Sequence, residues 1–136
     1  MKVTYAVRNI MTSDIVSLES TTSVNDAVAL MVRENIGSVA VTQDGKIVGI
    51  LTERDILRKC CPRTECAAMR VEDAMSSPPI TIDGGAALGE AADIMAEKKI
   101  RRLLVTEKGE VQGIVTERDL MRATLDVFKT LSDAFI

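Results

Sequence analysis

The residues best equipped for chemistry in this chain are Thr52-Glu53-Arg54-Asp55 and Thr116-Glu117-Arg118-Asp119. A carboxylate accepts both hydroxyls of a vicinal diol such as ribose, while threonine hydroxyls and arginine guanidiniums address phosphate. Each segment follows a glycine and two apolar residues, Gly49-Ile50-Leu51 and Gly113-Ile114-Val115. That pattern describes a strand end where backbone can approach closely, feeding a helix N-terminus that favours anions. A plainer role is also open. Threonine with an acid three residues on is a capping box, which satisfies free backbone N–H groups and contributes about 1 kcal/mol. A capping box accounts for Thr52, Asp55, Thr116 and Asp119, but not for the repeated Gly and Arg.

The two segments lie 64 residues apart, and the same offset relates a longer stretch: residues 7–59 slide onto 71–123 without a gap, with sixteen identities. These include Met11/Met75, Ala27/Ala91, Met31/Met95, Ile36/Ile100, Gly45/Gly109 and Arg58/Arg122. A duplication in register implies two equivalent sites related by an approximate two-fold axis. We divide the chain into repeat 1 (7–59), a linker (60–70), repeat 2 (71–123) and a C-terminal helical tail (124–136).

Each repeat predicts strand, helix, strand, strand, helix, an α/β (α+β) unit. In repeat 1, Ile15-Val16-Ser17-Leu18 is the first strand, and Ser23 with Asp26 marks a helix start. Val24, Ala27, Val28, Met31 and Val32 recur at helical spacing, and Ile36-Gly37 ends that helix. Asp44-Gly45 is a hairpin turn between Ser38-Val39-Ala40-Val41-Thr42 and Lys46-Ile47-Val48-Gly49-Ile50-Leu51, after which Thr52 opens a helix through Ile56, Leu57 and Arg58. Repeat 2 reads alike, with Ile80-Thr81-Ile82, a helix from Leu88 to about Lys99, and a hairpin around Lys108-Gly109. Pro78-Pro79 and Gly84-Gly85 keep its first strand short. Beyond it, Leu120, Leu125, Phe128, Leu131 and Phe135 fall close to one stripe of a long final helix.

Composition excludes several function classes. Tyr5, Phe128 and Phe135 are the only aromatics, so the core expected from 136 residues is aliphatic and built from both copies. Seventeen Lys and Arg against 20 Asp and Glu give a net charge of −3, and nucleic acid is not an expected partner. No apolar run approaches a membrane span and the start lacks a signal-peptide pattern, so a soluble, cytoplasmic protein without a membrane partner is expected. Histidine is absent and there is no phosphate loop or nucleophile with an obvious base, so we expect neither an enzyme nor a catalytic cofactor. Cys60, Cys61 and Cys66 crowd the linker; their number and spacing fit neither a secreted disulfide framework nor a zinc ribbon, leaving bystander thiols or a metal or redox switch as readings.

Two strand-helix-strand-strand-helix repeats, each closing on glycine, two apolar residues and Thr-x-x-Asp, resemble a tandem pair of cystathionine-β-synthase (CBS) domains. The resemblance also rests on Met11-Thr12 and Met75-Ser76, on the helices ending before Ile36 and Ile100, and on the hairpins, and it spans 7–123. It implies a pair about a pseudo-two-fold whose two clefts bind adenosine-containing ligands such as AMP, ADP, ATP or S-adenosylmethionine, and a flat homodimer of such pairs. It further implies that Asp55 and Asp119 hold ribose, that Thr52, Thr116, Arg54 and Arg118 face ribose or phosphate, and that Val16, Ile36, Ile80 and Ile100 sandwich adenine. Met11-Thr12 and Met75-Ser76 then lie near the base, with Asp55 facing Met75, Ile80 and Ile100, and Asp119 facing Met11, Val16 and Ile36.

The copies differ where Gly37-Ser38 becomes Arg101-Arg102. These arginines either reach phosphates, so that the two clefts bind unequally, or form a solvated strand edge. The leading expectation is a non-catalytic regulatory module that binds an adenosine-containing ligand and signals to a separate, unidentified protein. The alternatives are a dimeric interaction or assembly protein with vestigial clefts, its tail stripe packing on a second copy or on its own core, and a metal or redox sensor using the linker cysteines.

Overall fold

The computed structural model describes residues 5–134, and the contacts within it divide the chain into two compact units. One is Ile15–Pro79; the other joins the described residues up to Asp14 to those from Ile80 onward. Phe135, the last member of the predicted tail stripe, lies outside the described residues.

In the Ile15–Pro79 unit, β1 (Ser17–Glu19) leads through helix α1 (Val24–Glu34) to β2 (Ser38–Gln43) and β3 (Lys46–Thr52). The sheet order is β1-β2-β3, with β1 parallel to β2 and β2 antiparallel to β3. Ser23 caps α1 as its spacing predicts, accepting a hydrogen bond from the Asp26 N–H at 3.1 Å. The helix ends at Glu34, before Ile36 as expected, because Asn35 takes the left-handed conformation (φ 54°) and its N–H caps Met31 and Val32 carbonyls. Val24, Ala27 and Met31 form its buried face, whereas Val28 and Val32, predicted on the same stripe, are exposed. The hairpin turn at Asp44-Gly45 has positive φ at both positions (53° and 78°), the twist that a two-residue connection between such strands requires.

After β3 the chain makes one turn of helix α2 (Glu53–Asp55) that widens into a π-helical turn, Ile56–Cys60. The predicted linker is not unstructured. Cys60 is buried and disulfide-bonded to Cys66, which opens a short 3-10 turn, Cys66–Ala68; Cys61 is exposed and unbonded. Helix α3 (Val71–Ala74) follows, and Val71 and Glu72 donate backbone hydrogen bonds to the Thr22 and Ser20 carbonyls at 2.8 and 3.2 Å.

The second unit repeats the plan with β4 (Thr81–Asp83), α4 (Leu88–Lys98), β5 (Arg102–Glu107), β6 (Glu110–Thr116) and α5 (Glu117–Ala134). Its sheet, β4-β5-β6, reproduces the first residue for residue: Arg102 pairs with Thr116 as Ser38 pairs with Thr52, and a bulge at Val105/Thr106 matches that at Val41/Thr42. The opening of repeat 1 is part of this unit, since Val7 and Arg8 donate to the Ala86 and Gly84 carbonyls at 2.9 Å and Val7 is fully buried. Each unit thus contains the leading segment of the other repeat.

The aliphatic core appears as two clusters, one in each unit. Val39, Val41, Leu51, Cys60 and Val71 join the α1 face in the first; Val7, Ile82, Leu103, Val105 and Val115 join Ala91 and Met95 in the second. The tail stripe divides. Leu120 packs against its unit's cluster, while Leu125, Phe128 and Leu131 are exposed by half or more.

Candidate functional site

Both Thr-x-x-Asp segments form reciprocal capping boxes at the junction of strand and helix. The Thr52 N–H donates to Asp55 Oδ2 at 3.0 Å and the Asp55 N–H donates to Thr52 Oγ1 at 3.1 Å. In the other unit the Thr116 N–H donates to Asp119 Oδ2 at 2.9 Å, and the Asp119 N–H to Thr116 Oγ1 at 3.2 Å. The plain structural role is therefore realised. It leaves Oδ1 of each carboxylate outside the box, fixed in place by the pairing of Oδ2.

The opening segments lie beside these anchors, within the same units. Ser76 and Ile50 exchange backbone hydrogen bonds of 2.8 and 3.0 Å, and Thr12 and Ile114 exchange two of 2.9 Å. The glycine of each motif is explained by this approach. A Cβ on Gly49 would stand 2.6 Å from Met75 Sδ and 2.8 Å from the Ser76 carbonyl oxygen; one on Gly113 would stand 2.6 Å from Met11 Sδ and 2.9 Å from the Thr12 oxygen. The close backbone approach that the sequence reading attached to these glycines is present, and the backbone that approaches is the chain's own.

The two anchors are otherwise unlike. Asp55 is buried (8% exposed), and its Oδ1 accepts the Ser76 hydroxyl at 3.0 Å with Lys59 Nζ 3.4 Å away. Lys59 also donates to the Met75 carbonyl at 3.2 Å. Asp119 is half-buried, and among the described residues its Oδ1 has no partner. Lys59 was not singled out by sequence reasoning, although the signal was present: it stands four residues after Asp55, where repeat 2 has Ala123.

Arg54 and Arg118 are exposed beside their acids. Arg101 Nε lies 3.8 Å from Glu117 Oε2 with both side chains largely exposed, a solvated pair of little energetic weight. Arg102 opens β5 and is half-buried. The carbonyls of Gly37 and Arg101 accept the Glu53 and Glu117 N–H groups at 3.0 and 2.8 Å, so the differing pair occupies one backbone position in the two copies. Val16 and Ile36 pack at the edge of the first unit's cluster, and Ile80 and Ile100 at the edge of the second's. All four are only partly buried.

No group of three or more Cys, Asp and Glu side chains suited to a metal occurs among the described residues. Nor does any described helix have the length and apolarity to cross a membrane. A groove of about 400 Å³ runs between α4 and α5, lined by Met95, Ile100, Leu120, Met121, Leu125 and Phe128 among others. Its lining does not include Thr116 or Asp119, so this apolar groove and the polar anchor are separate features.

Two three-stranded α+β units, each with a Thr-x-x-Asp capping box where its last strand meets a helix, define a duplicated module. The CBS domain profile matches residues 7–61 and again 71–126, and the chain belongs to the CBS domain family as a tandem pair. Among its relatives is the CBS domain-containing protein YhcV of Bacillus subtilis, 28% identical over 115 residues that cover 85% of this chain and 82% of that protein. A putative signal-transduction protein with CBS domains from Burkholderia ambifaria superposes with a TM-score of 0.86 at 27% identity, covering 90% of this chain and 95% of that one. CBSX2, whose structure was solved in complex with AMP, superposes with a TM-score of 0.77 at 26% identity over 90% of this chain and 98% of that one.

Proposed function

We propose that this chain is a non-catalytic regulatory module that binds an adenosine-containing ligand at its Thr-x-x-Asp anchors and signals to a separate protein. The observation that carries this reading is the pair of carboxylates, each oriented by a capping box so that one oxygen is set apart from it. A vicinal diol donates two hydrogen bonds to such a group, and charge-assisted bonds of this kind are the stronger class. Arg54 and Arg118, exposed next to the anchors, suit the phosphate of AMP, ADP or ATP or the carboxylate of S-adenosylmethionine. Arg101 adds to this because its exposed pairing with Glu117 is readily exchanged for a phosphate. The AMP complex of CBSX2 supports the ligand class. Binding stabilises whichever arrangement of the module holds the ligand best, and a partner reads that population.

Calorimetric titration of nucleotide-free protein with AMP, ADP, ATP, S-adenosylmethionine and NADH tests the reading, repeated with Asp55→Ala and Asp119→Ala. At least one compound binds, and losing an Asp that holds it weakens binding sharply. If none binds at millimolar concentration, the reading fails.

A second reading rests on α5. Leu125, Phe128 and Leu131 are exposed on one stripe beside the α4–α5 groove, an apolar surface suited to packing on a second copy. A homodimer is then the module's working form, and a chain that remains monomeric by light scattering at high micromolar concentration removes this reading.

A further inference from the structure

The duplication invites the assumption of two equal sites, and the side chains around the anchors contradict it. We propose that Lys59 and Ser76 act as an internal stand-in for a diol at Asp55, so that Asp119 is the primary ribose anchor and Asp55 takes a nucleoside only by displacing them. This inference rests on the ligand reading above and specifies which site it uses.

Asp55 Oδ2 is occupied by the Thr52 N–H, and Oδ1 accepts the Ser76 hydroxyl at 3.0 Å while facing the Lys59 ammonium at 3.4 Å. Both oxygens of this carboxylate are thus already engaged by the protein, and at 8% exposure there is little open approach. Lys59 is itself held from several sides. Its ammonium bridges to the Met75 carbonyl at 3.2 Å, and the next residue, Cys60, is buried and bonded to Cys66, which fixes the turn that carries it. Asp before Lys at a separation of four is also a favourable pairing on a helical turn.

The equivalent positions at Asp119 lack this arrangement. Ala123 replaces Lys59 and supplies no charge, and Thr12, the counterpart of Ser76, engages Ile114 through its backbone but makes no hydrogen bond to Asp119. Among the described residues Asp119 Oδ1 is free, and the residue is half-buried rather than buried. A ribose at Asp119 adds hydrogen bonds to an unpaired charged oxygen. At Asp55 it exchanges one set for another, and the Lys59 ammonium keeps the Met75 carbonyl but loses its carboxylate. Loss of one charge-assisted hydrogen bond and one half-exposed ion pair separates the two affinities by a factor on the order of ten.

AMP titration of the nucleotide-free full chain by calorimetry, with thermal melts to verify folding, tests this. Wild type is expected to show one dominant site, removed by Asp119→Ala and changed less than twofold by Asp55→Ala. Lys59→Met, which keeps the aliphatic stem, and Ser76→Ala are expected to strengthen a second site by on the order of tenfold when combined, and adding Asp55→Ala removes it again. Two equal wild-type sites, a dominant site lost with Asp55, or a second site that Lys59→Met leaves unchanged or weakens would each overturn the inference while leaving the nucleotide reading standing. Absence of AMP binding in every variant overturns both.

Discussion

Substituting Gly49 by alanine perturbs the backbone contact that brings the opening segment of repeat 2 to its anchor. The new methyl would sit 2.6 Å from Met75 Sδ and 2.8 Å from the Ser76 carbonyl oxygen. Met75 is flexible and half-buried, and it can swing aside. The Ser76 oxygen cannot, because it accepts the Ile50 N–H at 3.0 Å while the Ser76 N–H donates to the Ile50 carbonyl at 2.8 Å. Relief requires that segment to retreat by roughly half an ångström, stretching both bonds, an overpacking strain of about 1–3 kcal/mol. Alanine recovers part of this, about 0.5–1 kcal/mol, by restricting the unfolded chain. A net loss of about 1–2 kcal/mol corresponds to a fall in melting temperature of roughly 4–8 °C for a chain this size. Thermal and urea melts of Gly49→Ala, Gly113→Ala and Gly89→Ala measure it. Gly89 lies inside α4 with nothing within 4 Å of an added methyl, so its substitution is expected to stabilise by about 0.5–1 kcal/mol. If Gly49→Ala melts with wild type, or if all three behave alike, the close approach is not what requires glycine there.

The disulfide closes a loop with a sequence separation of only 6, so reduction or Cys60→Ser is expected to lower stability by about 2 kcal/mol in urea melts, while Cys61→Ser leaves it unchanged. The starts of α1 and α4 offer a paired test: Ser23 caps α1, whereas Ala87, with nearly the same backbone angles, offers α4 no side-chain acceptor. Ser23→Ala should cost about 1 kcal/mol and Ala87→Ser should gain a comparable amount, read by the same melts. For α5, Phe128→Ser is expected to shift light scattering toward monomer without lowering the melting temperature of the monomeric form, since Phe128 is 64% exposed. A loss of monomer stability instead would place Phe128 in its own chain's core.

Much of the architecture was legible because it is written twice. Apolar spacing at Val24, Ala27 and Met31, the Asp44-Gly45 and Lys108-Gly109 turns and the Ser23 cap each specify local geometry through one or two residues, and all appear where expected. The helices stop before Ile36 and Ile100 as expected, but what stops them is left-handed backbone at Asn35 and Lys99, a choice made by the last-turn carbonyls rather than by any apolar pattern. Non-local features were harder. Nothing in the spacing of Val7 or Val71 shows that each leads into the unit formed mainly by the other repeat. The anchors' capping boxes were visible in Thr52, Asp55, Thr116 and Asp119, but the covering of Asp55 by Ser76 depends on bringing together residues 21 apart in sequence. The cysteines were misleading for a similar reason, since a buried Cys60 joined to Cys66 is decided by the turn between them and not by their number.

The placement of those leading segments bears on how such proteins can exchange parts. Recombination within the cysteine stretch at 60–70 would join one parent's first repeat to another's second and make both compact units hybrids. One parent would supply Val7 and Thr12 to the other's Ala86 and Ile114, and the reverse would hold at Thr22 and Val71. Crossovers after Asp14 and after Pro79 instead transfer a unit whole, with its sheet, its anchor and the side chains that cover that anchor. The transferable module is therefore the stretch Ile15–Pro79, offset from the repeat that the sequence displays.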